Sequence, residues 1–157
     1  MSYLFVRDKF GWSTRENSFY DATGMLVLVI GTTFWVFLFK RIFKLSDISL
    51  AIIGLISATS SSLVKAFASE PWHLYLSIGV AFLAGIYSPM MRSVITKTVP
   101  SSEIGKLFSI TTSFEAISVL GAAPLYTYIY TSTYKHFPGA YNLITAIVYG
   151  FTLIIAM

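Results

Sequence analysis

A chain of 157 residues that is 55% hydrophobic and only 11% charged, with mean hydropathy +0.72, is not an ordinary soluble domain. Such domains carry about 25% charged residues, and one this short has too little interior to hide so much apolar surface. The net charge of +4 is too small to read first as a nucleic-acid surface and reads instead as membrane orientation. The absence of cysteine excludes a disulfide framework and any thiolate metal site.

The opening "MSYLFVRDKFGW" is not a signal peptide, because charges stand where the apolar region should be. Five segments then follow that approach the roughly 20 apolar residues needed to cross about 30 Å of hydrocarbon. The first, about 22–39, carries no charge and ends in a cluster of Lys40, Arg41 and Lys44. The second, about 48–67, has Ser46 or Asp47 as its N-cap and breaks at "ASEPW". The third runs from about 72 to 96. The fourth, about 102–130, starts well: Pro100, a hydroxyl cap at Ser101 or Ser102, and Glu103 against the helix dipole. The fifth, 138–157, stops at Met157 without charge or cap, which reads as a cut chain, either a fragment or a truncated gene product. The segments are too long and too uniform for barrel strands, which would alternate over about 10 residues. The expected class is an all-α membrane protein with about five transmembrane helices.

Lysine and arginine in short loops set the orientation. The 40–47 turn and the 92–106 turn hold three basic residues each (Arg92, Lys97 and Lys106 in the second), whereas "ASEPWH" has none and "TSTYKHFPG" has only Lys135. The first two are therefore expected in the cytoplasm. Arg7, Lys9 and Arg15, on the opposite side, run against the rule. Gly54, Ala58 and Ser62 form one smooth face, as do Ala81 and Gly85, and small residues let membrane helices approach closely. The polar run Ser57 to Ser62 is either bonded to its own or a neighbouring helix, or the wall of a polar cavity.

Charges within the spans are the candidate working residues. Glu115 lies about ten residues into the fourth span, roughly 15 Å from its start. A carboxylate at that depth must be protonated, paired or facing water, and such residues mark ion pathways by default; the bland alternative is a structural helix-to-helix hydrogen bond. Arg92 is either the positive anchor of the third span or, if the helix runs on to Lys97, a side chain about 7 Å deeper. Pro89, one turn earlier, lacks a backbone donor and can kink the helix. Gly121 and Pro124 make a similar break in the fourth span, a packing kink or a gate. Lys65 is expected to snorkel to the outer interface, and His73 to be an interface residue. The chain has no phosphate loop, HExxH or GxSxG, and its two histidines are far apart, so neither an enzyme nor a metal or cofactor site is expected.

The stretch "YSPMMRSVITKTVPSSEIGKLFSITTSFEAI" resembles the tenth and eleventh spans of the proton-coupled folate transporter family, solute carrier family 46, of the major facilitator superfamily. The shared features are a P-x-x-R-S/A step, a K-x-V-P-S-x-E-x-G-x-L/I-F turn and an S-x-E pair. "FGWSTRENSFY" and "FLFKRIFKLSD" are similar to that family's seven-to-eight and eight-to-nine loops. The resemblance implies the C-terminal half of a twelve-helix major facilitator fold, with residues 1–157 as a partial transmembrane bundle. It also implies a partner in the absent N-terminal half of the same transporter. The family moves folates and other organic anions, often with protons, across the plasma or lysosomal membrane, and its span-ten arginine matches Arg92. The expected function is therefore proton-coupled, anion-preferring secondary transport of small organic solutes by alternating access, with the lipid bilayer as setting and no nucleic-acid partner. The alternative is a truncated, non-transporting membrane protein that binds or modulates a full-length partner.

Overall fold

The computed structural model describes residues 2–133 and 139–156, and the regular structure among them is all helical, with no strand. Helices α1 (Ser2–Phe10), α2 (Thr14–Arg41), α3 (Asp47–Ala66), α4 (Pro71–Val80), α5 (Tyr87–Thr98), α6 (Ile104–Thr133) and α7 (Ala140–Ala156) follow in order. A 3₁₀ stretch, Ala81–Ile86, joins α4 to α5. Four helical spans are long and apolar enough to cross a membrane: α2, α3, the joined unit Pro71–Thr98, and α6. The fifth expected span is α7, whose 17 residues rise about 25 Å. Its expected ends, Pro138 and Met157, and the turn holding Lys135, lie outside the described residues.

Local chemistry sets the boundaries. Helix α2 begins earlier than its apolar run, at Thr14, because Ser13 and Glu16 close a capping box. At α3 the cap is Ser46, whose hydroxyl accepts the Ser49 N–H at 3.1 Å. At α6 the expected serine cap does not form. Ser101 and Ser102 lie in a turn, and Glu103 takes the cap position, with its carbonyl accepting the Leu107 N–H at 3.0 Å.

Helix α3 is central, packing against α4, the 3₁₀ stretch, α5 and α7. Glycines set these approaches. A side chain at Gly31 of α2 would strike the Phe82 carbonyl, one at Gly85 would strike Thr32, and one at Gly54 would come within 2.8 Å of the Tyr87 backbone nitrogen. The third span is thus seated against α2 and α3 at a glycine in each contact, as close membrane packing favours. Pro89 has no N–H to give the Gly85 carbonyl, and the 3₁₀ geometry ends just before it.

Two cores result. At one end, Phe5, Val6, Trp12, Tyr20, Ala68, Leu74, Ile78, Tyr130 and Tyr141 form an aromatic cluster, which α1 closes over the tips of the spans. At the other, Leu50, Ala51, Ile86 and Met90 pack together, close to the lysines that end α2 and α5. These are called below the aromatic end and the basic end. Helix α6 buries only Tyr130 and leaves Phe114, Ile117, Val119 and Leu120 bare.

Candidate functional site

Positions 88, 92 and 95 recur at helical spacing on one face of α5, and 108, 111 and 115 do so on α6. The two faces meet around a cavity of about 190 Å³ lined by Tyr87, Ser88, Arg92, Ile95, Phe108 and Glu115, among others. Across it, Arg92 Nη2 lies 3.5 Å from Glu115 Oε2. The Arg92 guanidinium carbon also sits 5.7 Å from the centre of the Phe108 ring, within cation–π range. So the two charges singled out in the sequence, 23 residues apart, are brought together.

The depth of Arg92 follows from where α5 ends. The helix continues to Thr98, with Lys97 in its last turn. Arg92 lies five residues earlier, about 7 Å deeper, and turns to α6. Half of the Arg92 side chain (50%) and of the Glu115 side chain (57%) is left uncovered by the chain itself. A charged pair open on one side faces water or further protein wherever the helices cross a membrane. What this geometry can do is exchange partners: an anion reaching Arg92 competes with Glu115, and a protonated Glu115 frees Arg92.

The other sequence candidates are not part of this pair. Pro89 and Met90 face the opposite way, toward Val36 and Phe37 of α2. Helix α6 runs through Gly121 and Pro124 without a break in its helical course, and Gly121 stands in open space. The serine run bonds to its neighbour at the 3₁₀ joint: Ser57 donates to the Val80 carbonyl at 2.6 Å and Ser61 to the Ser77 carbonyl at 2.8 Å. His73 Nδ1 accepts the Glu70 N–H at 3.0 Å and so caps α4. Lys65 lines a cavity together with Asp21. No group of three metal-ligating side chains assembles among the described residues.

Sequence reasoning missed Asp47. It is not the cap of α3 but the residue after it, its side chain 8% exposed, and it collects three donors. Lys40 from the end of α2 lies at 3.1 Å, Ser93 of α5 donates at 2.7 Å, and Lys97 of α5 pairs with the same carboxylate. The signal was present: the charge rule already put 40–47 and 92–106 at one end, and Asp47 is the acid between them.

No family model and no solved structure matches the chain. Curated relatives do. A Drosophila melanogaster protein described as "Probable peptidoglycan muropeptide transporter SLC46" is 33% identical over 98% of this chain and 30% of its own length. The human "Lysosomal proton-coupled steroid conjugate and bile acid symporter SLC46A3" is 31% identical over 65% of this chain and 22% of its own. The rat "Proton-coupled folate transporter" is 30% identical over 62% and 21%. The chain thus spans less than a third of the length of each. All three relatives are described as carriers of solutes, which points away from an enzyme.

Proposed function

We propose that this chain, which belongs to solute carrier family 46, is a partial C-terminal bundle of a proton-coupled secondary transporter of small organic anions. In this reading an N-terminal half completes the protein, and substrate binds between the halves near the midplane, exposed to each side in turn. Its proposed setting is the plasma or the lysosomal membrane, the second because the human relative's description carries it. The names of the relatives supply the substrate class as a proposal: folate, bile acids, steroid conjugates and muropeptides are organic solutes that carry acidic groups.

The observation that carries the reading is the open Arg92–Glu115 pair. Without substrate each charge satisfies the other, as intramembrane charges must. An anion arriving at Arg92 takes the place of the Glu115 carboxylate, and Glu115 then accepts a proton. One proton and one negative charge move together, so the loaded site carries no more net charge than the empty one. Phe108 holds the guanidinium in place during the exchange.

Uptake by the full-length transporter in cells across a pH gradient, with a panel of organic anions, tests this. Arg92→Ala should lower uptake at least about tenfold, the worth of one charge-assisted hydrogen bond, at unchanged surface expression. Glu115→Gln should retain substrate binding while flattening the dependence of uptake on the pH gradient. Full, pH-driven uptake by either variant sinks the assignment.

A further inference from the structure

At the aromatic end, beyond the core of α3 from Asp47, a second cavity of about 170 Å³ opens between α2, α3 and α4. Its apolar wall includes Leu28 and Ile78, and its polar wall has Tyr20 with two opposite charges, Asp21 of α2 and Lys65 of α3. The two charges are farther apart than the about 4 Å of an ion pair. Lys65 has no hydrogen-bond or ion-pair partner among the described residues. Asp21 accepts one hydrogen bond on Oδ2, from Asn17 Nδ2 at 2.8 Å, which leaves Oδ1 open.

Asp21 is exposed and Lys65 half-buried, so it is the Lys65 ammonium, beside the apolar wall, that gains most from a partner inside the cavity. The volume is several times the roughly 30 Å³ share of one water, enough for a handful of heavy atoms. A simple anion drawn to Lys65 is repelled by Asp21, and a simple cation drawn to Asp21 is repelled by Lys65. Only a group bearing both charges satisfies both walls. We propose that this cavity binds a small zwitterionic group, its ammonium against Asp21 and its carboxylate or phosphate against Lys65. Two sources share that chemistry: a free amino-acid-like solute, and the headgroup of an ethanolamine phospholipid, since the cavity lies toward the tips of the spans. The site is separate from the Arg92–Glu115 pair and does not depend on the transport reading.

The purified protein tests it by thermal unfolding. One arm adds β-alanine in detergent, with propionate and propylamine as single-charge controls. The other compares nanodiscs of the anionic lipid phosphatidylglycerol with and without phosphatidylethanolamine. The expected result is stabilisation by β-alanine, by phosphatidylethanolamine, or by both, with the single-charge controls at least about tenfold weaker. Lys65→Met and Asp21→Asn should each weaken the response about tenfold or more. The exchange Asp21→Lys with Lys65→Asp should restore it, which keeps the test readable if a single variant fails to fold. A response only in the nanodisc arm assigns the lipid headgroup, and one with β-alanine assigns a free solute. No response in either arm overturns the proposal, as do equal responses to single charges or unaltered affinity in the variants.

Discussion

Asp47 fastens three elements with one carboxylate, because Lys40, Ser93 and Lys97 reach it from α2 and α5 while the acid itself sits in the first turn of α3. The lysine side chains stay 40% and 67% exposed, so water solvates them if the acid is lost. Asp47→Asn should therefore cost about 1–3 kcal/mol, the worth of charge-assisted hydrogen bonds, rather than the larger penalty of stranding two buried charges. Thermal unfolding of the purified protein reads this directly, and a double-mutant cycle with Lys97→Met should return a coupling of at least about 0.5 kcal/mol. Additive losses would mean that the pair contributes nothing. The residue was hard to assign in the sequence for a local reason. Ser46 and Asp47 are adjacent and either can cap a helix, and only the fold reveals that the serine does so and the aspartate turns to a lysine 50 residues away.

The joint α4–3₁₀–α5 shows why one helix in a membrane can change its pitch without stranding its carbonyls. Hydrocarbon offers no water to a loosened backbone. Ser57 and Ser61 of α3 donate to the Val80 and Ser77 carbonyls at the start of the joint instead. The serine run, ambiguous in sequence between helix glue and cavity wall, is glue at these two positions. Apolar length placed the third span at about 72–96, the helical unit runs Pro71–Thr98, and the pitch change inside it was not legible. Proline lowers the local helix preference, and the neighbouring helices come closest to the joint at Gly31 and Gly54. Substitution at the glycines separates these effects. Gly54→Ala forces its new methyl group against the Tyr87 backbone, which has no flexible end to move, and should destabilise the protein by about 1–3 kcal/mol, as overpacking does. Gly121→Ala meets open space in a continuous helix and should be neutral or gain up to about 1 kcal/mol. Equal unfolding midpoints for the two variants would remove the close-packing account of the joint.

On the scale of the whole chain, composition and loop charge gave the architecture: an all-α bundle whose long apolar helices alternate between a basic end and an aromatic one. The structure adds that the ends differ in kind. The basic end is held by ion pairs around Asp47. The aromatic end is held by rings, with α1 laid over them and Asp8 accepting the Tyr130 hydroxyl at 2.9 Å. Helix α1 was not legible, because nine mixed residues carry no clear period and become helical only against Tyr130, Tyr141 and Trp12. The awkward charges at the aromatic end have local partners, which does not take them out of the charge rule. Arg7 pairs with Asp8, Lys9 lies over the Phe5 and Phe10 rings, and Arg15 over Phe19. The orientation is expected to follow Lys40, Arg41, Lys44, Lys97 and Lys106, with the basic end in the cytoplasm. The chain contains no cysteine, so single cysteines placed in it report without background from its own residues. Ser101→Cys, in the turn before α6, should be protected from a membrane-impermeant maleimide in intact cells and react after permeabilisation. Ser69→Cys, exposed in the turn between α3 and α4, should react in intact cells. The reverse pattern would invert the bundle and put the Asp21–Lys65 cavity, with any zwitterion it holds, on the cytoplasmic side.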